Sequence, residues 1–222
     1  MQVAPVEQHF WAFPESLVSG AWAEKRALAA ELRALAELCV TTDAPEGALA
    51  EATRLAGAAR ALLDAQPRRT FLEAYPSLAT QADLAPFADR NTLVGRCNPF
   101  APPLVLVTEG DRSVGRVTFG PVYEGAPGCV HGGLLAAAFD QAFGHLQTRL
   151  GVTSLTGVLT VRYRAPTPIL VEVRFEAWVD QVSGRRHQLR ARAQVGERTM
   201  AEAEAMFVEI EPARMRDGLA SR

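Results

Sequence analysis

The chain is poor in the features that mark several classes of protein. It has three cysteines in 222 residues, Cys39, Cys97 and Cys129, and none stands in a CxxC pair. Three thiols cannot all pair within one chain. They read as reduced thiols of a cytoplasmic protein rather than a disulfide framework. There is no excess of charge: 23 basic residues face 25 acidic ones, for a net charge of −2. No basic field is available to recruit nucleic acid or an anionic membrane. No apolar run approaches the roughly 18 to 20 residues that span a bilayer. The most apolar stretch, 134–143, is broken by Asp140 and Gln141. The opening MQVAPVEQHFWAFPES lacks both the basic and the apolar part of a secretory leader. GxGxxG and P-loop patterns are missing, and no His/Cys spacing resembles a zinc site, so neither a metal nor a nucleotide cofactor is expected. With 48% hydrophobic and 22% charged residues, the chain reads as globular, with one large domain or two small ones.

What is present changes texture along the chain. Residues 1–18 carry Phe10, Trp11, Phe13 and two prolines without a period, as an extended arm would. Residues 20–66 hold sixteen alanines and eight leucines, both strong helix formers. Leu28, Leu32, Leu35 and Cys39 trace one helical face, and Leu49, Ala52, Ala56, Ala59 and Leu63 trace another. Pro45, in the break between them, suits the first turn of a second helix. An antiparallel helical hairpin is expected. Its charges balance, which argues against a DNA-reading helix-turn-helix. Residues 67–97 are proline-spaced and read as an irregular linker, which runs on to about 112.

Beyond residue 113 the period becomes two. Val117 and Phe119 alternate with polar or small neighbours, as do the runs 159–164, 171–179, 189–195 and 201–207. Ser183-Gly184 and Gly196 mark tight turns between antiparallel neighbours. Between the first strand and the rest lies LLAAAFDQAFGHL at 134–146, a helix apolar nearly all round, which must be covered on most sides. A strongly curved antiparallel sheet wrapped around one helix does this. The expected fold is α+β, the hotdog fold, with an N-terminal helical extension.

Two features can carry chemistry. Asp140 is a carboxylate within that apolar helix. It lies either on a solvated stripe with Gln141 and His145 or, partly buried, serves as a base or nucleophile. His131-Gly132-Gly133 stands where the helix begins. Glycines there admit a ligand to the backbone, and the first turn presents free N–H groups that can hold an oxyanion. The bland reading is a turn with a structural histidine. Spacing adds a constraint: nine residues from 131 to 140 are on the order of 13 Å along a helix and half a turn out of phase. One chain cannot bring both to one carbonyl. If both act, the site is shared by two copies in a symmetric dimer.

The remaining candidates have simpler readings. His145 reads as a helix-end histidine and His187 as an exposed strand residue. Cys129 reads as a small packing residue. Arg162, Arg164, Arg185 and Arg186 either bind phosphates or form the solvated face of strands.

Tyr123-Glu124-Gly125-Ala126-Pro127-Gly128-Cys129-Val130-His131-Gly132-Gly133 followed by Asp140 resembles the signature of PaaI-like thioesterases of the hotdog superfamily. Thr156, the segment Leu159 to Pro168 and Gly184-Arg185-Arg186 are similar to that family's later strand and hairpin. The resemblance runs from about Asn98 to Ile210. It implies an acyl-CoA thioesterase that needs no cofactor beyond the coenzyme A of its substrate. Asp140 would be the catalytic carboxylate, and Gly132 would give the N–H that polarises the thioester carbonyl. His131 would place the loop, and Thr156 would hold the carboxylate or the water. Gly133, Asn98, Arg164, Arg185 and Arg186 are the implied substrate contacts. One departure is Gly125, where some relatives carry an amide that places water.

The expected organisation is an arm and helical hairpin over 1–66, a linker over 67–97, a hotdog domain over 98–211 and a tail over 212–222. A homodimer or a dimer of dimers is expected. The hairpin is expected to lie against the outer sheet face or the dimer edge. Two other functions stay open: an acyl-CoA-binding regulator without turnover, and an enoyl-CoA hydratase or dehydratase using His131 as base.

Overall fold

The computed structural model describes residues 18–70, 73, 85–86 and 88–211. The extended arm and the C-terminal tail expected from sequence lie outside the described residues, apart from positions 18 and 19. Two helices come first, α1 (Gly20–Thr41) and α2 (Glu46–Asp64). Strands β1 (Val105–Glu109) and β2 (Arg112–Thr118) follow, then a single 3-10 turn at Pro121–Tyr123 and the helix α3 (Gly132–Arg149). The chain finishes with β3 (Ser154–Tyr163), β4 (Glu172–Ser183), β5 (Arg186–Val195) and β6 (Arg198–Glu209). All six strands form one antiparallel sheet in the order β1-β2-β4-β5-β6-β3. This is the expected hotdog fold. β1 was hidden in the sequence because Val105–Glu109 follows directly on a proline-rich loop.

The wrap works because side-chain sizes match. The sheet presents Ala177, Ala191, Ala193, Ala201, Ala203 and Ala205 inward, which lets α3 seat closely. Large helix residues fill what remains. Phe139 meets Phe175 edge-on at 5.1 Å between ring centroids, and Phe143 meets Phe207 at 6.1 Å. Phe119, Phe139, Phe143 and Phe175 are fully buried. The other face of the sheet is a lattice of ion pairs. Glu176 accepts from Arg112, Arg174 and Arg192 at 3.0, 3.1 and 2.7 Å. Three hydrogen-bonding guanidiniums allow this carboxylate to be nearly covered.

The N-terminal helices exist, with one correction. They do not close on each other as a packed hairpin: α2 has no buried residue, and Leu28, Leu32, Leu35 and Cys39 of α1 stay exposed. α1 is held by its polar side instead. Trp22 Nε1 and Arg26 Nε donate to Asp89 at 2.8 and 2.6 Å. Arg33 Nη1 reaches the Asn98 carbonyl at 2.9 Å, and α1 also packs on the 3-10 turn. This contradicts the expected seat on the outer sheet face. Periodicity finds a helical face, but a buried carboxylate 63 residues from Arg26 decides which face is used. No helix among the described residues is long and apolar enough to cross a membrane.

Candidate active site

The start of α3 is built around His131, its N-cap, with φ −60° and ψ 128°. The His131 N–H donates to the Tyr123 carbonyl at 3.0 Å. Gly133 N–H donates to His131 Nδ1 at 3.1 Å. That nitrogen therefore carries no proton, and the neutral ring has its proton on Nε2. Leu134 and Leu135 N–H both reach the His131 carbonyl, at 2.9 and 3.4 Å. Of the first four amides of the helix, Gly132 N–H alone has no acceptor among the described residues. It is a free donor at the positive end of a helix dipole, suited to an anionic oxygen.

The Tyr-Glu-Gly stretch supports this turn. Glu124 Oε1 accepts from Gly128 N–H, and Gly125 N–H donates to the Cys129 carbonyl at 2.8 Å. A side chain at 125 has no room: an added Cβ would sit 2.8 Å from His131 Cα. The departure from the family pattern at Gly125 thus has a steric cause.

Asp140 lies further along α3 and is half-buried. Thr156 Oγ1 donates to its Oδ1 at 2.7 Å. A bulge in β3 aims that hydroxyl. Thr156 pairs with Phe207 and Leu159 with Ala205, and the register shifts between Thr156 and Val158. Without the extra residue, positions 156 and 159 would face opposite sides of the sheet. Gly157 takes the bulge close to Met206, where a Cβ would lie 3.3 Å from its methyl group.

A cavity of about 430 Å³ opens beside Gly132, walled by Ala126, Cys129, Val130, Leu135, Tyr163 and Pro166 among others. Cys129 is therefore a cavity wall as well as a packing residue. Arg164 also borders it, with its Nε bonded to Glu202 at 2.7 Å. The other implied substrate contacts are placed differently. Asn98 spends its amide inside its own loop, donating to the Arg90 carbonyl and accepting from Phe100 N–H. Arg185 donates to the Glu209 carbonyl at 3.0 and 2.7 Å. Arg186 is exposed at the start of β5. Arg162 pairs with Glu204 at 3.0 Å on the outer face.

Two histidines differ from expectation. His187 is buried, 5% exposed, because it faces the helix in register with Phe207. His145 is buried in the core, its Nδ1 2.7 Å from Ser113 Oγ. Neither had a sequence signal, since each contact joins residues 20 or more positions apart on different elements. Cys97 is no nucleophile: burial and then the Asp89 carboxylate push its thiol up to about 12.

Residues 127–205 match the family described as the thioesterase superfamily. The match spans this segment, about a third of the chain. The acyl-coenzyme A thioesterase THEM4 of Bos taurus is 30% identical over 95 residues, which cover 42% of this chain and 39% of that protein. Its Mus musculus counterpart is 31% identical over 103 residues, 46% of this chain and 44% of the relative. The chain thus spans less than half the length of these relatives. A solved thioesterase superfamily protein superposes with a TM-score of 0.67 at 25% identity, covering 86% of this chain and 96% of the other. That likeness reaches well beyond the hotdog segment into the N-terminal half.

Proposed function

We infer that this chain is an acyl-CoA thioesterase that works as a homodimer with composite sites. The observation that carries the reading is a held carboxylate and a free helix-start N–H on one helix: Asp140 against Thr156, and Gly132 without an acceptor. Hydrolysis of a thioester needs a base for water and a donor for the oxyanion, and these are the two groups.

Eight residues separate Gly132 from Asp140, about 12 Å along the axis, so they serve different sites. The edge strand says how two copies would join them. β3 ends the sheet, and its Leu155 and Val158 are both 52% exposed. Thr156, beside Asp140, sits near one end of β3, and Tyr163, bonded to Gly132, is at the other. Antiparallel pairing of β3 with a second copy, about an axis between 159 and 160, sets 156 of one chain opposite 163 of the other. Asp140 of one subunit then faces Gly132 of its partner. In each site Asp140 takes a proton from water, which attacks the carbonyl carbon. The carbonyl oxygen becomes the oxyanion, held by Gly132 N–H of the partner subunit; its collapse breaks the C–S bond, and the proton held by Asp140 passes to the departing coenzyme A thiolate, leaving the free acid.

His131 positions the loop, since its Nδ1 is occupied by Gly133 and its Nε2 carries the proton. A ring so arranged is not the base that a hydratase needs. Arg164, at the cavity mouth, is the best placed of the arginines for the coenzyme A phosphates. Coenzyme A enters as part of the substrate, and no other cofactor is required. The three free thiols suit the cytoplasm.

The test is release of free thiol from a panel of acyl-CoAs. Asp140→Asn is expected to lower kcat at least about 100-fold. Unchanged turnover removes Asp140 from the mechanism. Tight acyl-CoA binding without turnover by the unaltered protein replaces this reading with that of a regulator.

A further inference from the structure

The group asked to hold the oxyanion sits on the least self-supporting backbone in the helix. Gly132 and Gly133 are consecutive, and glycine disfavours helix relative to alanine. Oxyanion stabilisation depends on a donor fixed before charge develops. The turn therefore needs restraint from outside itself.

The structure provides two restraints. His131 Nδ1 holds the Gly133 N–H. Tyr163, the last residue of β3, donates its hydroxyl to the Gly132 carbonyl at 2.7 Å across 31 positions of sequence. Its ring also stands against Gly132: an added Cβ there would lie 3.3 Å from the hydroxyl and the adjoining ring carbon. Packing within the single chain does not explain this placement, because Tyr163 is 53% exposed there. The same ring walls the cavity next to the free N–H.

We propose that Tyr163 is a positioning residue for the oxyanion donor, fixing the peptides on either side of Gly132 from the edge strand. It acts on the chemistry through the Gly132 backbone. Its hydroxyl pins the Gly132 carbonyl, and its ring limits where the Gly132 backbone can swing. One strand then serves both halves of the chemistry, with Thr156 holding the carboxylate near one end and Tyr163 holding the donor at the other.

The inference rests on the thioesterase reading for its kinetic arm and stands apart from it in a second arm. Tyr163→Phe keeps the ring and removes only the hydroxyl, so folding and the cavity wall are retained. The variant is expected to lower kcat about tenfold and to leave KM within about twofold, because donor alignment matters in the transition state and ground-state binding belongs to the cavity. The thermal midpoint and oligomeric state should match those of the unaltered protein. A kcat within twofold of the original, or a raised KM with kcat intact, overturns the proposal.

The second arm is amide hydrogen exchange. Gly133 N–H and Ala136 N–H, which reaches back to the Gly132 carbonyl in an α-helix, should exchange about tenfold faster in Tyr163→Phe. Amides of β6 should not change. Equal exchange at 133 and 136 in the two proteins also overturns it. Absence of turnover in the unaltered protein refutes the thioesterase reading, and the exchange data still decide the role of the tyrosine.

Discussion

Asp140 shows what a side chain gains from its neighbour on another strand. The carboxylate is half-buried and receives the Thr156 hydroxyl, so one oxygen is fixed and the other is left for water. A polar pair of another kind sits deeper. Ser113 and His145 are 1% and 3% exposed and lie 2.7 Å apart. Nothing reaches them from solvent, so their contact is structural. Ser113→Ala withdraws the hydroxyl from a buried ring nitrogen and is expected to destabilise the protein by about 1–3 kcal/mol. Thermal or denaturant unfolding measures this, and kcat at a temperature where the variant is folded should be unaltered. A loss of kcat without a loss of stability would move this pair into the chemistry.

At the scale of elements, α1 is the informative case. Its leucines suggest that it buries Leu28, Leu32 and Leu35, yet the stripe Trp22, Arg26, Ala29 and Arg33 faces the body. Asp89 is the reason. Burial by itself would raise its carboxyl. Donors from Arg26, Trp22, Arg96 N–H and the Cys97 thiol outweigh burial and hold it below the ordinary aspartate value. A depressed folded-state value means stability that is fully present above the unfolded value, near 3.9, and is lost as pH falls through the folded one. α1 should stay clamped at neutral pH and release only below about pH 4, with Trp22 fluorescence as reporter. Asp89→Ala leaves Arg26, itself largely covered, without its ion-pair partner, and should cost about 3 kcal/mol. Retention of the native Trp22 signal in that variant at neutral pH would show that α1 is held by other contacts.

At the scale of the molecule, the separation of Asp140 from Gly132 gives a test that no single-chain site can pass. Asp140→Ala chains and Gly132→Pro chains are each expected to be inactive. Proline suits the first position of a helix, and His131 already has the backbone angles that precede proline, so this change removes the N–H while its Cβ presses on the Tyr163 ring 3.3 Å away. Mixed dimers hold one site with both lesions and one with neither. Co-expression should therefore restore about half of the original activity per mixed dimer. No recovery from verified mixed dimers would place both groups in separate single-chain sites.

Much of this was legible in sequence, and the limit is physical. The alternating strands, the all-round apolar helix that demands a wrapped sheet, and the spacing of Gly132 from Asp140 are written in the order of residues. Each is a local property, set by periods of 2.0 and 3.6 and by rise per residue. The rest came from how the folded chain packs. That packing turned Thr156 toward Asp140 through the bulge at Gly157, buried His187 and His145, and clamped α1 by its polar side. It also brought Tyr163 onto Gly132. Each of these depends on which distant strand or loop a residue meets, and that pairing is settled by the packing of the whole sheet around α3.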